Sequence, residues 1–128
     1  MDDRGLVKSS NEEILRFIAS SFRSVWALEL LLVLKSERRS WSQDDLDSTM
    51  RASEVVVTRA LAALEAAGLV AISGERAQYA PVSDEIAVLV EETEQLYASR
   101  PDAVRRAIVS GASTEATAFA NAFRLRKD

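Results

Sequence analysis

The segment from Ala52 to Val70 constrains the fold more than any other part of the chain, because it has the pattern of an amphipathic helix with a defined start and end. Ser53 is placed to cap the helix N-terminus, and Gly68 supplies the left-handed residue that stops it. The sequence therefore predicts a helix from Glu54 to Ala67 that leads directly into a strand.

The two faces of this helix differ in character. Val57, Leu61 and Leu64 recur at i, i+4 and i+7, and Ala60 lies beside them, so these residues form the inward stripe. The outward positions are Glu54, Val55, Thr58, Arg59 and Ala62, with Val56 near the boundary. A small, uncluttered outward face suits close approach to another surface, and the DNA major groove is the leading candidate.

Two helices are predicted near the N-terminus. Ser10 and Glu13 have the spacing of a capping box in front of a helix from Asn11 to Phe22. Ser24 is placed to open a second, apolar helix that ends between Lys35 and Arg39, where cations suit the negative end of the helix dipole. The apolar residues of this second helix predict burial on nearly all sides.

A short third helix and a hairpin flank the segment described first. Ser42 is the expected cap of the third helix, with Asp44 and Asp45 in its first turn. Strands are predicted from Leu69 to Ser73 and from Ala77 to Ala80, around a turn that contains Gly74. The order is therefore helix, helix, helix, helix and hairpin.

The pattern after the hairpin is helical again. Ser83 is placed to cap a helix whose apolar residues lie on one side, while Glu91, Glu92 and Glu94 lie elsewhere. The apolar residues are Ile86, Leu89, Val90, Leu96 and Tyr97. We expect residues 1–82 to form one domain and residues 83–128 to form a C-terminal helical region.

Two more helices are predicted in this C-terminal region. Pro101 fits the first turn of a helix that we expect Gly111 to end. A last helix is predicted from Ser113, with Phe119 and Phe123 on one side. Apolar stripes that a small domain does not cover usually mark an interface, so we expect a homodimer built from the first helix and the helices after Ser83.

The composition argues against catalysis. The 128 residues include no histidine and no cysteine, so the commonest general base, the thiolate nucleophile and the usual transition-metal ligands are missing. Asp44, Asp45 and Asp47 lack the glycine turn and bidentate glutamate of a calcium loop, and we interpret them as a solvated helix start. We predict a protein that is not an enzyme and holds neither a metal nor a cofactor.

The chain also has the pattern of a cytoplasmic protein. The apolar run from Val25 to Leu34 is about half the roughly 20 residues that span a bilayer. The N-terminal sequence Met-Asp-Asp-Arg-Gly resembles neither a secretory signal nor a transit peptide.

Two stretches resemble the MarR-type winged-helix transcriptional regulators. Val57-Thr58-Arg59, followed by the stretch from Leu64 to Val70, is similar to that family's reading helix and the entry to its wing. Arg76-Ala77 and then Val82-Ser83-Asp84-Glu85 are similar to the wing arginine and the start of the following helix. The resemblance covers about residues 26–85, and it departs from the family at Gly74, where the wing usually has an aspartate.

The resemblance implies a fold and a function. The fold is mainly α with a small β-hairpin wing: a winged helix-turn-helix with a C-terminal helical extension. The function is sequence-specific binding of double-stranded DNA by a homodimeric transcriptional regulator. Family members often bind small-molecule effectors between the wing domain and the dimerisation helices, and Phe22, Trp26 and Tyr97 are candidates to line such a pocket or to be plain core.

Eight residues are candidates for DNA contact. The resemblance implies phosphate contacts by Ser53 and Thr58 and a minor-groove contact by Arg76. It implies base contacts by Glu54, Val55, Val56 and Arg59. Arg51 completes the set, because it is one of five arginines able to line one face. The other four are Arg38, Arg39, Arg59 and Arg76. The alternatives are a solvated Arg59, a Glu54 that serves only the helix dipole, and an Arg76 that is ordinary turn polarity.

The charge is the main objection to DNA binding. The formal net charge is −4, whereas a domain that binds phosphates is usually basic. The segment from Arg4 to Ala80 is neutral, with ten basic and ten acidic residues, so we expect modest, salt-sensitive affinity that depends on dimerisation. The alternative is a winged-helix protein-interaction module without DNA binding, in which Val55 and Val56 contact a protein partner.

Overall fold

The computed structural model describes residues 9–111, which form a mainly helical structure with a small antiparallel sheet. Residues 101–111 are helical and are called α6 here. The preceding elements are α1 (Asn11–Ser21), α2 (Val25–Ser36), β1 (Trp41–Ser42), α3 (Gln43–Met50), α4 (Glu54–Ala66), β2 (Val70–Ser73), β3 (Arg76–Tyr79) and α5 (Asp84–Ser99). The helix predicted from Ser113, with Phe119 and Phe123, lies outside the described residues.

Serine side chains begin α1 to α5, as the sequence predicts. Each hydroxyl accepts a hydrogen bond from the backbone N–H three residues further on, which satisfies one of the free donors of the first turn. The five caps are Ser10, Ser24, Ser42, Ser53 and Ser83. At Ser10 the capping box is complete, because the Glu13 side chain accepts from the Ser10 N–H at 2.8 Å.

The sheet has three strands in the order β1-β3-β2. The hairpin pairs Val70 with Tyr79 and Ser73 with Arg76, and Gly74 adopts a positive φ of 63° in the turn between them. The second strand begins and ends one residue earlier than predicted. Strand β1, which pairs Trp41 with Ala77, was not predicted from the sequence.

Helix α2 lies at the centre of the core. Its Leu28, Leu30, Leu31 and Leu34 are fully buried, whereas Glu29 is exposed, so the predicted burial on nearly all sides is confirmed. Helix α4 contributes the predicted inward stripe of Val57, Leu61 and Leu64, all of them buried. Gly68 has the predicted left-handed conformation, with a φ of 80°.

Helix α6 packs against α1 through Gly111. A Cβ atom at Gly111 would lie 2.6 Å from the backbone oxygen of Ala19, a distance that no side chain tolerates. Gly111 is helical and is the last residue that the structure describes, so the prediction that it ends the helix stays a prediction. The close approach of the two helices is a separate reason for a glycine at this position.

Helix α5 differs from its predicted pattern at one acidic residue. Glu92 is 8% exposed and Thr93 is fully buried, whereas Glu91 is exposed. The prediction that Glu92 lies away from the buried side is therefore wrong. Ser9, which precedes the cap of α1, donates its N–H to Glu92 Oε2 at 3.1 Å.

In residues 9–111, no single helix has both the length and the apolar character needed to cross a membrane. Helices α1 and α2 meet these criteria only as a pair, and they are bent by 101° relative to each other.

Candidate functional site

The N-terminal half of α4 presents an exposed face. Val55 is 59% exposed and Val56 is 47% exposed, although both are large apolar residues. Their neighbours Ser53, Glu54, Thr58 and Arg59 are exposed as well. The fully buried Val57 fixes the rotation of the helix, so this face points away from the core as the sequence predicts.

The turn between α3 and α4 is held by its backbone. Arg51 has a φ of 54° and a ψ of 47°, the left-handed conformation that is uncommon outside glycine. Its N–H donates to the carbonyls of Asp47 and Ser48, and the Ala52 N–H also donates to Asp47. These bonds fix the angle at which α4 leaves α3.

Two of the candidate arginines have free guanidinium groups. Arg51 and Arg59 are exposed, and within residues 9–111 neither side chain makes an ion pair or a hydrogen bond. Glu54 is likewise exposed and unpaired in this part of the chain. These groups are therefore available to a partner at no cost in broken intramolecular bonds.

Arg76 is exposed, but its guanidinium group is held by two hydrogen bonds. Its Nε donates to Ser40 Oγ at 2.8 Å, and its terminal nitrogen donates to the Ser40 carbonyl at 3.0 Å. The turn of the hairpin consists of Gly74 and Glu75, so an acidic residue and not the arginine occupies the tip. The carbonyl of Glu75 accepts from the Gln43 N–H at 3.1 Å, which attaches the hairpin to the start of α3.

Arg38 and Arg39 lie over aromatic rings. The Arg38 guanidinium carbon is 5.1 Å from the centre of the Tyr79 ring, and that of Arg39 is 3.8 Å from the Trp41 ring. Arg39 also pairs with Glu37 at 2.9 Å and with Asp45 at 3.4 Å. Asp45 is thereby partly neutralised, and Arg39 is less available to an external anion than Arg51 or Arg59.

A groove runs between α4 and the start of α2. Its volume is about 420 Å³, and its apolar walls include Trp26, Val56, Ala60 and Ala63. Arg59 lies at its border. The sequence does not reveal this groove, because helical periodicity shows which residues face outward but not which neighbouring helix lies beside them.

Phe22, Trp26 and Tyr97 lie in three different surroundings in the described part of the chain. Phe22 is buried in the core, Trp26 borders the groove beside α4, and the Tyr97 hydroxyl donates to Glu29 at 2.9 Å. An effector pocket between these three residues stays a prediction.

The carboxylates of residues 9–111 form no group of three or more that could hold a metal ion. No protein-family model, no curated protein and no solved structure matches this chain.

Proposed function

We propose that this protein is a sequence-specific DNA-binding transcriptional regulator with a winged helix-turn-helix of the MarR type. The observation that carries the proposal is the exposed N-terminal face of α4, with its free Arg59, at the end of a short hydrogen-bonded turn from α3. Two helices joined by a short turn, followed by a hairpin, are the parts that place a helix in the major groove.

The residues on this face match the chemistry of base edges. Arg59 is suited to donate two hydrogen bonds to guanine, and Glu54 to accept one from the cytosine amino group. The methyl groups of Val55 and Val56 are suited to thymine methyl groups. Ser53 and Thr58, together with the free N–H groups of the helix start, would contact phosphates.

The hairpin would contribute a second contact through Arg76. Because Ser40 holds this guanidinium beside β1, we assign it to the flank of the hairpin and not to the tip. There it would face a phosphate or the edge of a minor groove, while Glu75 at the tip limits how deeply the hairpin enters. Arg51, next to the start of α4, would contact the phosphate backbone.

The near-neutral charge of this region requires a second copy. One domain with few free cations would bind DNA weakly, whereas a homodimer offers two reading helices to half-sites about 34–36 Å apart. We place the protein in the cytoplasm and assign it no catalysis and no cofactor. A small-molecule effector is an optional partner.

A second candidate function is a winged-helix protein-interaction module. The groove beside α4, with Trp26 and Val56 on its walls, favours it, as does the formal charge of −4. In that case the valines would carry the binding energy, and Arg59 and Arg76 would be dispensable.

Fluorescence anisotropy with labelled random duplex DNA separates the two functions. DNA binding requires affinity at low salt that falls as salt rises, because bound cations are released from the phosphates. Arg59→Ala should then cost about 1–3 kcal/mol in binding to a selected site. Arg106→Ala, which removes an exposed arginine of α6, is the matched control. Absence of binding at low salt would refute the DNA-binding proposal.

A further inference from the structure

The outward side of α4 has a centre that two residues define. The buried stripe of this helix consists of Val57, Leu61 and Leu64. At about 100° of rotation for each residue, Val55 and Arg59 lie on the side opposite to that stripe and one turn apart. Ala62 continues the same line, and all three are exposed. We call Val55, Arg59 and Ala62 the outer ridge of α4.

Val55 and its neighbour Val56 have different surroundings. Val56 lies on the wall of the groove beside α2, together with Trp26. Val55 is not among the described residues that line this groove, and it is the more exposed of the two, at 59% against 47%. Val55 therefore belongs to the outer ridge, and Val56 lies on its flank.

The physics of the helix itself does not favour a valine at position 55. The branched Cβ of valine loses rotamer freedom in a helix, so alanine is the better helix former. Val82 is exposed as well, but it packs beside Gly68, where an added Cβ would lie 3.0 Å from a Val82 methyl carbon. The apolar surface of Val55 is free for a partner.

The major groove of DNA offers a valine one kind of apolar contact. The edges of the base pairs carry hydrogen-bond donors and acceptors, and the apolar group among them is the C5-methyl group of thymine. Methylation of cytosine at C5 places the same methyl group at the same position of the base. A valine that packs on this group does not separate thymine from 5-methylcytosine, but it does separate both from cytosine.

Arg59 determines the neighbouring base pair. Side chains of a helix lean toward its N-terminus, over the preceding turn, and residues four apart have Cβ atoms about 5–6 Å from each other. The Arg59 side chain therefore extends toward Val55. Within residues 9–111 its guanidinium group is free, and it matches the N7 and O6 acceptors of guanine. Successive base pairs are about 3.4 Å apart, so the two side chains reach adjacent ones.

We propose that the outer ridge of α4 recognises a 5-methylpyrimidine next to a guanine. Val55 packs on the C5-methyl group of thymine or 5-methylcytosine, and Arg59 donates two hydrogen bonds to the guanine. Ala62 leaves room for the helix to approach the floor of the groove. This inference rests on the proposed DNA-binding function, and it makes the affinity for a cytosine at this position depend on methylation.

Base analogues that differ by a single methyl group provide the test. The full chain first selects a duplex site from a random library, and each thymine of that site is then replaced by deoxyuridine, which lacks only the C5-methyl group. At one thymine beside a guanine, we expect binding to weaken about fourfold, the effect of one methyl group removed from water. At the same position, 5-methylcytosine paired with guanine should bind about fourfold more tightly than cytosine. Fluorescence anisotropy measures the affinities.

Two variants assign the methyl contact to Val55. Val55→Ala removes the apolar contact, so it should bind the thymine and deoxyuridine duplexes with equal affinity. Val82→Ala, which truncates a valine that is 74% exposed and lies outside α4, should retain the difference of about fourfold.

An analogue of the guanine tests the second half of the step. Replacement of the adjacent guanine by 7-deazaguanine removes the N7 acceptor, so it should weaken binding of the unaltered chain about fivefold. The same replacement should leave binding by Arg59→Ala unchanged. An equal loss in both proteins would overturn the assignment of Arg59 to this guanine.

The failure of this inference differs from the failure of the proposed function. A chain that binds duplex DNA at low salt, with equal affinity for thymine and deoxyuridine at every position, would overturn the inference and leave DNA binding intact. A difference that disappears in Val56→Ala but not in Val55→Ala would overturn it as well. Absence of DNA binding at low salt would refute the proposed function, and this inference with it.

Discussion

Arg76 and Ser40 are joined by two hydrogen bonds, one to the serine hydroxyl at 2.8 Å and one to its carbonyl at 3.0 Å. The pair connects the hairpin with the residue before β1, and 36 positions separate the two residues in sequence. The same guanidinium thus holds the hairpin to the residue before β1 and is a candidate DNA contact. Loss of the first role would lower the stability of the fold, and loss of the second would lower DNA affinity.

The two hydrogen bonds to Ser40 predict that Arg76→Ala destabilises the fold. Two exposed hydrogen bonds are lost, so the free energy of unfolding should fall by about 0.5–1 kcal/mol. Arg59→Ala, which breaks no intramolecular bond, should leave it unchanged. Urea denaturation of both variants measures the difference, and equal midpoints would show that the Ser40 contact contributes nothing.

Leu61→Ala tests the inward face of α4. Leu61 is 5% exposed in the core, and truncation of a buried leucine costs about 2–5 kcal/mol. Val55→Ala on the outward face should change the unfolding free energy by less than about 0.5 kcal/mol. Urea denaturation of both variants gives the comparison, and a similar loss in both would mean that the helix is rotated.

Gly111→Ala tests the contact between α1 and α6. Replacing a glycine inside a helix by alanine ordinarily stabilises a protein by about 0.5–1 kcal/mol. Here the added Cβ would meet the Ala19 backbone oxygen at 2.6 Å, so we expect a lower melting temperature. Ser110→Ala, an exposed neighbour on the same helix, is the control. A higher melting temperature for Gly111→Ala would show that the helices separate easily.

Local signals predicted much of this fold. The serine caps and the stripe of Val57, Leu61 and Leu64 act over three to seven residues, so their pattern is visible in the sequence itself. The exposed face of α4 follows from the same periodicity. The sequence could therefore specify where the helices begin and which side of α4 is free.

Long-range contacts account for what the sequence did not reveal. Strand β1 has two residues and forms only by pairing with Ala77 and Arg76, which are distant in sequence. A strand this short has no periodicity that would predict it. The hydrogen bond from Ser9 to Glu92 joins residues that are 83 positions apart, so the surroundings of Glu92 are not visible in its local sequence. The close contact at Gly111 depends on where α1 passes, and helical periodicity does not show which helix lies beside it.

An ion-pair cluster between α2 and α5 predicts a pH dependence. Lys35 Nζ lies 2.8 Å from Glu91 and 2.7 Å from Glu94, and its side chain is 10% exposed. Burial alone would lower the pKa of Lys35, but the bonds to the two carboxylates more than reverse this, so its pKa is raised. The hydrogen bond from Lys35 lowers the pKa of Glu91 below its ordinary 4.5.

The sign of each contribution follows from these directions. The pKa of Glu91 is lower in the folded state than in the unfolded chain. Its contribution to the free energy of unfolding is therefore present above pH 4.5 and is lost as the pH falls through the folded value. Because the folded pKa of Lys35 is raised, its contribution is present below pH 10.5 and is lost as the pH rises through the folded value. Burial raises the pKa of Tyr79 from 10.0, so the ionisation of Tyr79 also lowers the free energy of unfolding at alkaline pH.

A double-mutant cycle of Lys35→Met and Glu91→Gln isolates this cluster. The coupling free energy from urea denaturation should be favourable at neutral pH and should decline below pH 4.5, where Glu91 takes up its proton. A coupling that is the same on both sides of that pH would mean that packing, and not charge, joins the two residues.

The homodimer is the remaining prediction, and the described helices suggest where it forms. An apolar groove of about 630 Å³ lies between α1 and α6, with Leu15, Ala19 and Ala107 on its walls, and Val109 on α6 is 61% exposed. Unpaired apolar surface of this kind usually marks an interface. Within residues 9–111 nothing fills this groove, and we expect a second copy of the chain to cover it.

Multi-angle light scattering on the full chain and on Ala107→Glu tests this interface. The full chain should be dimeric at tens of micromolar protein, and Ala107→Glu should be monomeric, because a buried unpaired carboxylate is costly at an apolar contact. Val55→Glu places the same charge on α4 and should remain dimeric.

A chain that ends at Gly111 removes Phe119 and Phe123, and its conversion to a monomer would place the contact in that tail. A monomeric full chain would refute the dimer, and with it the pair of reading helices that modest DNA affinity requires.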